Sequence, residues 1–207
     1  APGSDGRTPR RRALTAGLAA TVAALGGAGA DPVEHLLEAI VTGDASRARR
    51  IAAADPGLVN RLQPDDRATL VATAEHGNRA AVAVMLDLGF PIGTRREGAD
   101  EDGATALHAA SWAGSADTVA LLLERGADIG ARDARWEGQP LHWALVGSGE
   151  APDTAPAPDW VATVQMLLDA GAPIAEITLD ADDPKPPSPA VRELLRTRGI
   201  TGTGRTG

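Results

Sequence analysis

Cysteine is absent from this chain of 207 residues, which removes disulfides, thiol nucleophiles and cysteine-based zinc sites together and fits a reducing compartment. Tyrosine is absent too, and the aromatics amount to four Trp and one Phe. That is too few for a β-sandwich, whose strands draw on aromatic and β-branched side chains. No run of about 18 apolar residues could span a bilayer, so a soluble protein without membrane contact is expected. Positive charge is in deficit: the formal net charge is −8 and the sequence pI about 5.0, the wrong sign for tracking phosphates. Nucleic acid is therefore not an expected partner.

What is present is alanine, glycine and proline. Alanine favours close helix-on-helix packing, and an all-α fold is expected. The 24 Gly and 15 Pro make roughly a fifth of the chain, above the background of about an eighth but below the level of about 25–30% that suggests disorder. The chain is thus folded and heavily punctuated, long enough for one domain or a short solenoid.

The punctuation is periodic. "GATALHAASWAGSADTVALLLERGADIGARD" (residues 103–133) places Thr105 as an N-cap candidate, Gly114 and Gly126 at helix ends, and Val119, Leu122 and Leu123 as an apolar stripe at helical spacing. "QPLHWALVGS" (139–148) repeats the Leu107-His108 pair at Leu141-His142, and "DWVATVQMLLDAGAPI" (159–174) supplies a second helix with Val164, Leu167 and Gly171 in register. Upstream, residues 68–92 keep the register with Leu70, Gly77, Val82, Leu86 and Gly89, and residues 33–56 with Leu36, Ala39 and Gly43. "SPAVRELLRTRGI" (188–200) opens with Ser-Pro at N-cap and N1 and reads as a closing helix. Between the helices of 139–148 and 159–174 "GEAPDTAPAP" (149–158) is an insertion, expected to be non-helical because of its prolines. One helix pair of this kind cannot bury its apolar face alone and needs neighbours.

These residues resemble the ankyrin repeat, most closely over 103–133, where Ala106 stands in place of the family's proline. The resemblance implies an all-α solenoid of stacked helix-turn-helix units joined by short hairpin loops. One array is expected, with repeats at about 5–31, 33–60, 67–97, 101–133 and 137–175, a closing helix at about 188–200 and a loose tail at 201–207. Departures are Arg10-Arg11 where Leu-His is usual, a shortened link between Asp31 and Val33, Ser148 in place of the turn glycine, and the insertion.

The opening residues 5–31 admit two readings. Arg10, Arg11 and Arg12, an apolar run and the small residues Ala28-Gly29-Ala30 look like a twin-arginine export signal. Yet Val22 precedes Gly29 by the seven residues that also separate Val119 from Gly126, Val82 from Gly89 and Val164 from Gly171. A signal has no reason to keep that spacing, so the repeat reading is preferred and a cytoplasmic location expected, with export as the alternative. A chain opening on a repeat edge without Met further suggests the C-terminal part of a longer array.

Chemistry is not evident. His108 and His142 fall in the Leu-His signature, where the resemblance implies a bond from imidazole to backbone near the repeat junction. His35 and His76 have no partner at ligand spacing. The acidic run Asp100-Glu101-Asp102 lacks the alternation of a calcium loop, and no phosphate loop or nucleophile elbow is present. No catalytic residue, cofactor or metal is expected. The resemblance implies instead a concave groove of hairpin tips and first-helix faces, where Glu75, His76, Glu101, Asp102, Trp112, Arg135, Trp136 and Trp143 are the candidates for contacting another protein. Trp112, Arg135 and Trp136 suit a hot spot, or else Trp112 and Trp136 stack on each other across repeats and only stabilise the array. Trp160 is expected to be structural. Acid beside aromatics suggests a partner with a basic, partly apolar segment, bound by a monomer. The other function considered is the regulatory or substrate-recruiting part of a larger enzyme or toxin-like protein.

Overall fold

A computed structural model of the chain describes residues 13, 31–97, 102–150, 158–175, 177 and 185–200. The expected first repeat, apart from Ala13 and Asp31, and the tail after residue 200 lie outside the described residues, as does most of the insertion.

Helix starts follow local side-chain chemistry. Asp31 accepts from the Val33 amide at 2.9 Å and Pro32 occupies the first turn, so α1 runs Pro32–Val41 directly from the shortened link. Asp44 caps α2 (Ala45–Ala54) through the Arg47 amide. A 3-10 turn at Val59–Arg61 and the single turn α3 (Pro64–Arg67) then lead into α4 (Thr69–Glu75), extra turns that the register of 67–97 did not announce. Asn78 caps α5 (Arg79–Asp87). The next pair is α6 (Ala106–Trp112) and α7 (Ala116–Glu124). It is followed by α8 (Pro140–Glu150) and by α9 (Trp160–Asp169), which Asp159 caps. Ser188 and Pro189 open α10 (Pro189–Thr197). Gly114 and Gly126 take φ of +63° and +83°, the left-handed geometry that stops α6 and α7 within one residue.

The helices stand in two rows. First helices pack along one row, α4 on α6 and α6 on α8; second helices pack along the other, α2 on α5, α5 on α7, α7 on α9 and α9 on α10. Each pair also packs internally, so one apolar seam runs between the rows, filled by Leu36, Ile40, Leu70, Met85, Leu107, Leu122, Leu141, Leu167 and Leu195. Within the first row α6 and α8 stay close because Gly147 of α8 lies against the main chain of Trp112 at the end of α6. Hairpin loops project on the α4–α6–α8 side, tied by an isolated antiparallel bridge between Arg95 and Thr105 and by the Ala134 amide donating to the Asp102 carbonyl at 2.8 Å. Among the described residues there is no strand, and no helix is long and apolar enough to cross a membrane.

One expectation is corrected. The fourth first-helix does not turn at Ser148; α8 continues through Gly149 to Glu150, so the start of the insertion is helical. The prolines that forbid helix begin only at Pro152. Serine has no glycine-like access to the left-handed region that would end the helix there, and the Ser148 hydroxyl instead donates to the Leu145 carbonyl at 2.7 Å, a bond within the helix.

Candidate functional site

The loop "ARDARWEGQP" between α7 and α8 is organised around one carboxylate. Asp133 is buried, and its Oδ1 accepts from the amides of Arg135 (2.8 Å) and Trp136 (2.6 Å). Its Oδ2 accepts from the Gly138 amide (2.8 Å) and the indole N–H of Trp143 (3.0 Å). Burial alone would raise this carboxyl, but the Trp136 amide, the Trp143 indole and the Arg135 and Gly138 amides outweigh it and hold the group below its ordinary 3.8. A tight loop around a filled acceptor results, with Glu137 at φ +53°, a strained setting for a side chain other than glycine.

His108 anchors the same loop from α6. Its Nε2 faces the Gly138 carbonyl at 3.1 Å, and a carbonyl can only accept, so Nε2 carries the proton. Nδ1 then accepts from the Thr105 amide at 3.2 Å and the Thr105 hydroxyl at 2.8 Å, closing a reciprocal box at the helix start. Burial pushes the His108 pKa below 6.5, against opposing pulls from the Gly138 carbonyl and the Asp133 charge. His142 repeats part of the pattern, its Nδ1 accepting from the Gln139 amide at 3.2 Å. Both imidazoles thus bond to backbone near repeat junctions.

Three tryptophans gather on the fixed loop. Trp143 is the centre, with its ring centroid 6.2 Å from Trp112, 5.8 Å from Trp136 and 5.5 Å from His108, all edge to face. The alternative of Trp112 stacked on Trp136 is therefore replaced: each meets Trp143, because Asp133 pins the Trp143 indole between them. Trp136 remains 63% exposed, with the Arg135 guanidinium 5.2 Å above its ring. Trp160, on the second row, donates its indole N–H to the Trp112 carbonyl at 3.0 Å and packs on the core, a structural placement.

A cavity of about 690 Å³ opens on the loop side, and five sequence-selected residues line it: Glu75, Asp102, Trp112, Trp136 and Trp143. Glu75 and Asp102 meet there through Arg96, whose guanidinium lies 3.2 Å from the first and 3.6 Å from the second. His76 and Arg135 are not on the wall: His76 ends α4 and donates from Nδ1 to the Ala72 carbonyl at 2.7 Å, and Arg135 covers the outer side of Trp136. Glu101 lies outside the described residues. Sequence reasoning missed Arg96, Asp133 and Glu137, which also line the cavity. The spacing of Asp133 to Arg135, Trp136 and Gly138, an Asx-type turn closed by glycine, was the available signal.

Residues 22–133 match the family model described as ankyrin repeats (3 copies). The human B-cell lymphoma 3 protein is 41% identical over 71 residues, which cover 34% of this chain and 16% of that protein. The chain therefore aligns with about a sixth of the length of this curated relative.

Proposed function

Because the chain belongs to the ankyrin repeat family, whose members typically bind other proteins and do no chemistry, we propose that it is a non-catalytic module binding one partner protein through the groove on its loop side. The observation that carries this reading is the convergence of Glu75, Asp102, Trp112, Trp136 and Trp143 on one cavity. Tryptophan concentrates binding energy when central to an interface, about 2 kcal/mol or more for each hot-spot residue. An exposed indole carrying an arginine on its face offers both apolar area and charge.

The partner segment is basic and partly apolar, because the carboxylates Glu75, Asp102, Asp133 and Glu137 outnumber the cations Arg96, Arg132 and Lys185 beside the aromatics. The array acts as a monomer in the cytoplasm, without nucleic acid, membrane or cofactor. Crosslinked co-purification from the native host, comparing the wild type with a Trp112→Ala/Arg135→Ala variant of verified helicity, tests the groove. A protein enriched with the wild type and lost with the variant supports the reading; the same set recovered with both overturns it. Affinity of the captured complex is expected to fall with added salt.

A further inference from the structure

Ser148 stands where the register calls for a turn glycine, and the extra helical turn that follows adds Gly149 and Glu150 to α8. Trp143, Val146 and Glu150 succeed one another at three and four residues, the spacing of a single helix face. Glu150 therefore carries the groove wall of Trp143 and Val146 one turn further. The same turn holds a second piece of chain. A strap of residues 185–188, which leads into α10, lies across it: the Ser188 amide donates to the Ser148 hydroxyl at 3.0 Å, Gly149 lies against the Pro186 carbonyl, and the Lys185 ammonium meets the Glu150 carboxylate at 3.0 Å. Lys185 thereby joins the cavity wall, although it lies 35 residues beyond Glu150 in the chain.

The contacts at the Lys185 end are weaker than those that seat α10. Lys185 is 56% exposed in its ion pair, and an exposed pair contributes little and weakens with salt. Pro186 is exposed as well. Beyond it Pro187 is buried, and α10 buries Val191 and Leu195 and packs on α9. The Lys185 end can therefore lift while the closing helix stays in place. Resting on the groove reading above, we infer that the strap 185–188 is a self-inhibitory latch on the groove. Closed, it holds the Lys185 side chain on Glu150 at the end of the cavity; open, it uncovers the Glu150 carboxylate and widens the entry, so latch closure and partner binding compete.

The test uses the full chain with Trp136→Phe, so that Trp112 and Trp143 report from the cavity and Trp160 from the second row. Acrylamide quenching of the indole emission measures how open the groove is. Four variants of verified helicity are compared in this background: Lys185→Glu, Glu150→Lys, the two together, and Gly149→Ala. Alanine is favoured over glycine inside a helix, yet a Cβ at Gly149 would overlap the Pro186 carbonyl oxygen, so this last variant unseats the strap without loosening α8. Each single variant should raise the quenching constant at least about twofold, and the charge-swapped pair should return it towards the parent value. Added salt should raise the constant in the parent and leave Lys185→Glu unmoved. The partner recovered by crosslinked co-purification should increase with the single variants and fall back with the pair. Unchanged quenching in the single variants, a pair no closer to the parent than they are, or open variants that recover no more partner overturns the inference. In each of those cases a partner still lost from the Trp112→Ala/Arg135→Ala variant preserves the groove reading. A partner indifferent to that variant removes both.

Discussion

At the scale of single residues, Asp133 and His108 hold the groove loop from opposite sides, and both make its stability depend on pH. The unfolded chain protonates His108 below its ordinary 6.5, whereas the buried ring resists the proton. Protons therefore favour unfolding: the His108 contribution is complete above about pH 6.5 and declines as pH falls below it. The Asp133 carboxyl, depressed from 3.8 by its donors, contributes fully above that value and is lost as pH falls beneath it. Acid thus loosens the loop in two stages, His108 first. Urea midpoints should drop between pH 7 and 5, and His108→Gln should lower the midpoint at pH 7 while flattening that decline. An unchanged slope in the variant would assign it to other groups. Asp133→Asn keeps the shape but replaces one acceptor by a donor facing Gly138 N–H or the Trp143 indole. It should cost about 2–3 kcal/mol in urea denaturation and alter the tryptophan emission. The histidines were legible in the sequence because their partner lies in the same motif. Asp133 was not, since the value of its four donors appears only when the loop closes on α8.

At the scale of elements, several helix boundaries were readable because each is set by a residue or two: Thr105 and Ser188 at the starts, Gly114 and Gly126 at the ends. One exception is α8, where a missing turn glycine lengthens the helix and a proline count could not say by how much. The meeting of α6 and α8 was invisible for a different reason: Gly147 reads as a weak residue in a helix, yet it lies against the Trp112 main chain. A Cβ there would overlap the Trp112 carbonyl oxygen. Gly147→Ala should therefore destabilise by about 2–3 kcal/mol through overpacking and push Trp112 into the groove. Gly43→Ala makes the comparison: its φ of +84° strains any side chain but nothing lies within 4 Å, so the cost should stay near 1 kcal/mol. Thermal melts of the two variants check the order. If Gly43→Ala proved the more damaging, backbone conformation rather than helix contact would set the spacing of the array.

At the scale of the whole molecule, every packing of one helix on another that builds the two rows joins neighbours, so stability is transmitted from unit to unit rather than pooled in one core. The position of a damaged residue should then matter as much as its size. Leu107 and Leu195 are both fully buried leucines, but α6 packs on α4, α7, α8 and α9 whereas α10 packs chiefly on α9. Truncation to alanine at either site removes similar apolar volume and should cost about 2–5 kcal/mol locally. In Leu195→Ala the loss should surface as faster amide exchange confined to α9 and α10, with α4 to α6 keeping their protection. In Leu107→Ala it should spread in both directions, because the units on each side lose a shared neighbour. Hydrogen exchange with mass detection on the two variants distinguishes this from a single cooperative core, in which both substitutions would speed exchange evenly along the chain. Confinement of the Leu195→Ala effect would also mean that the groove, built between α4 and α8, keeps its shape while the end of the array opens and closes.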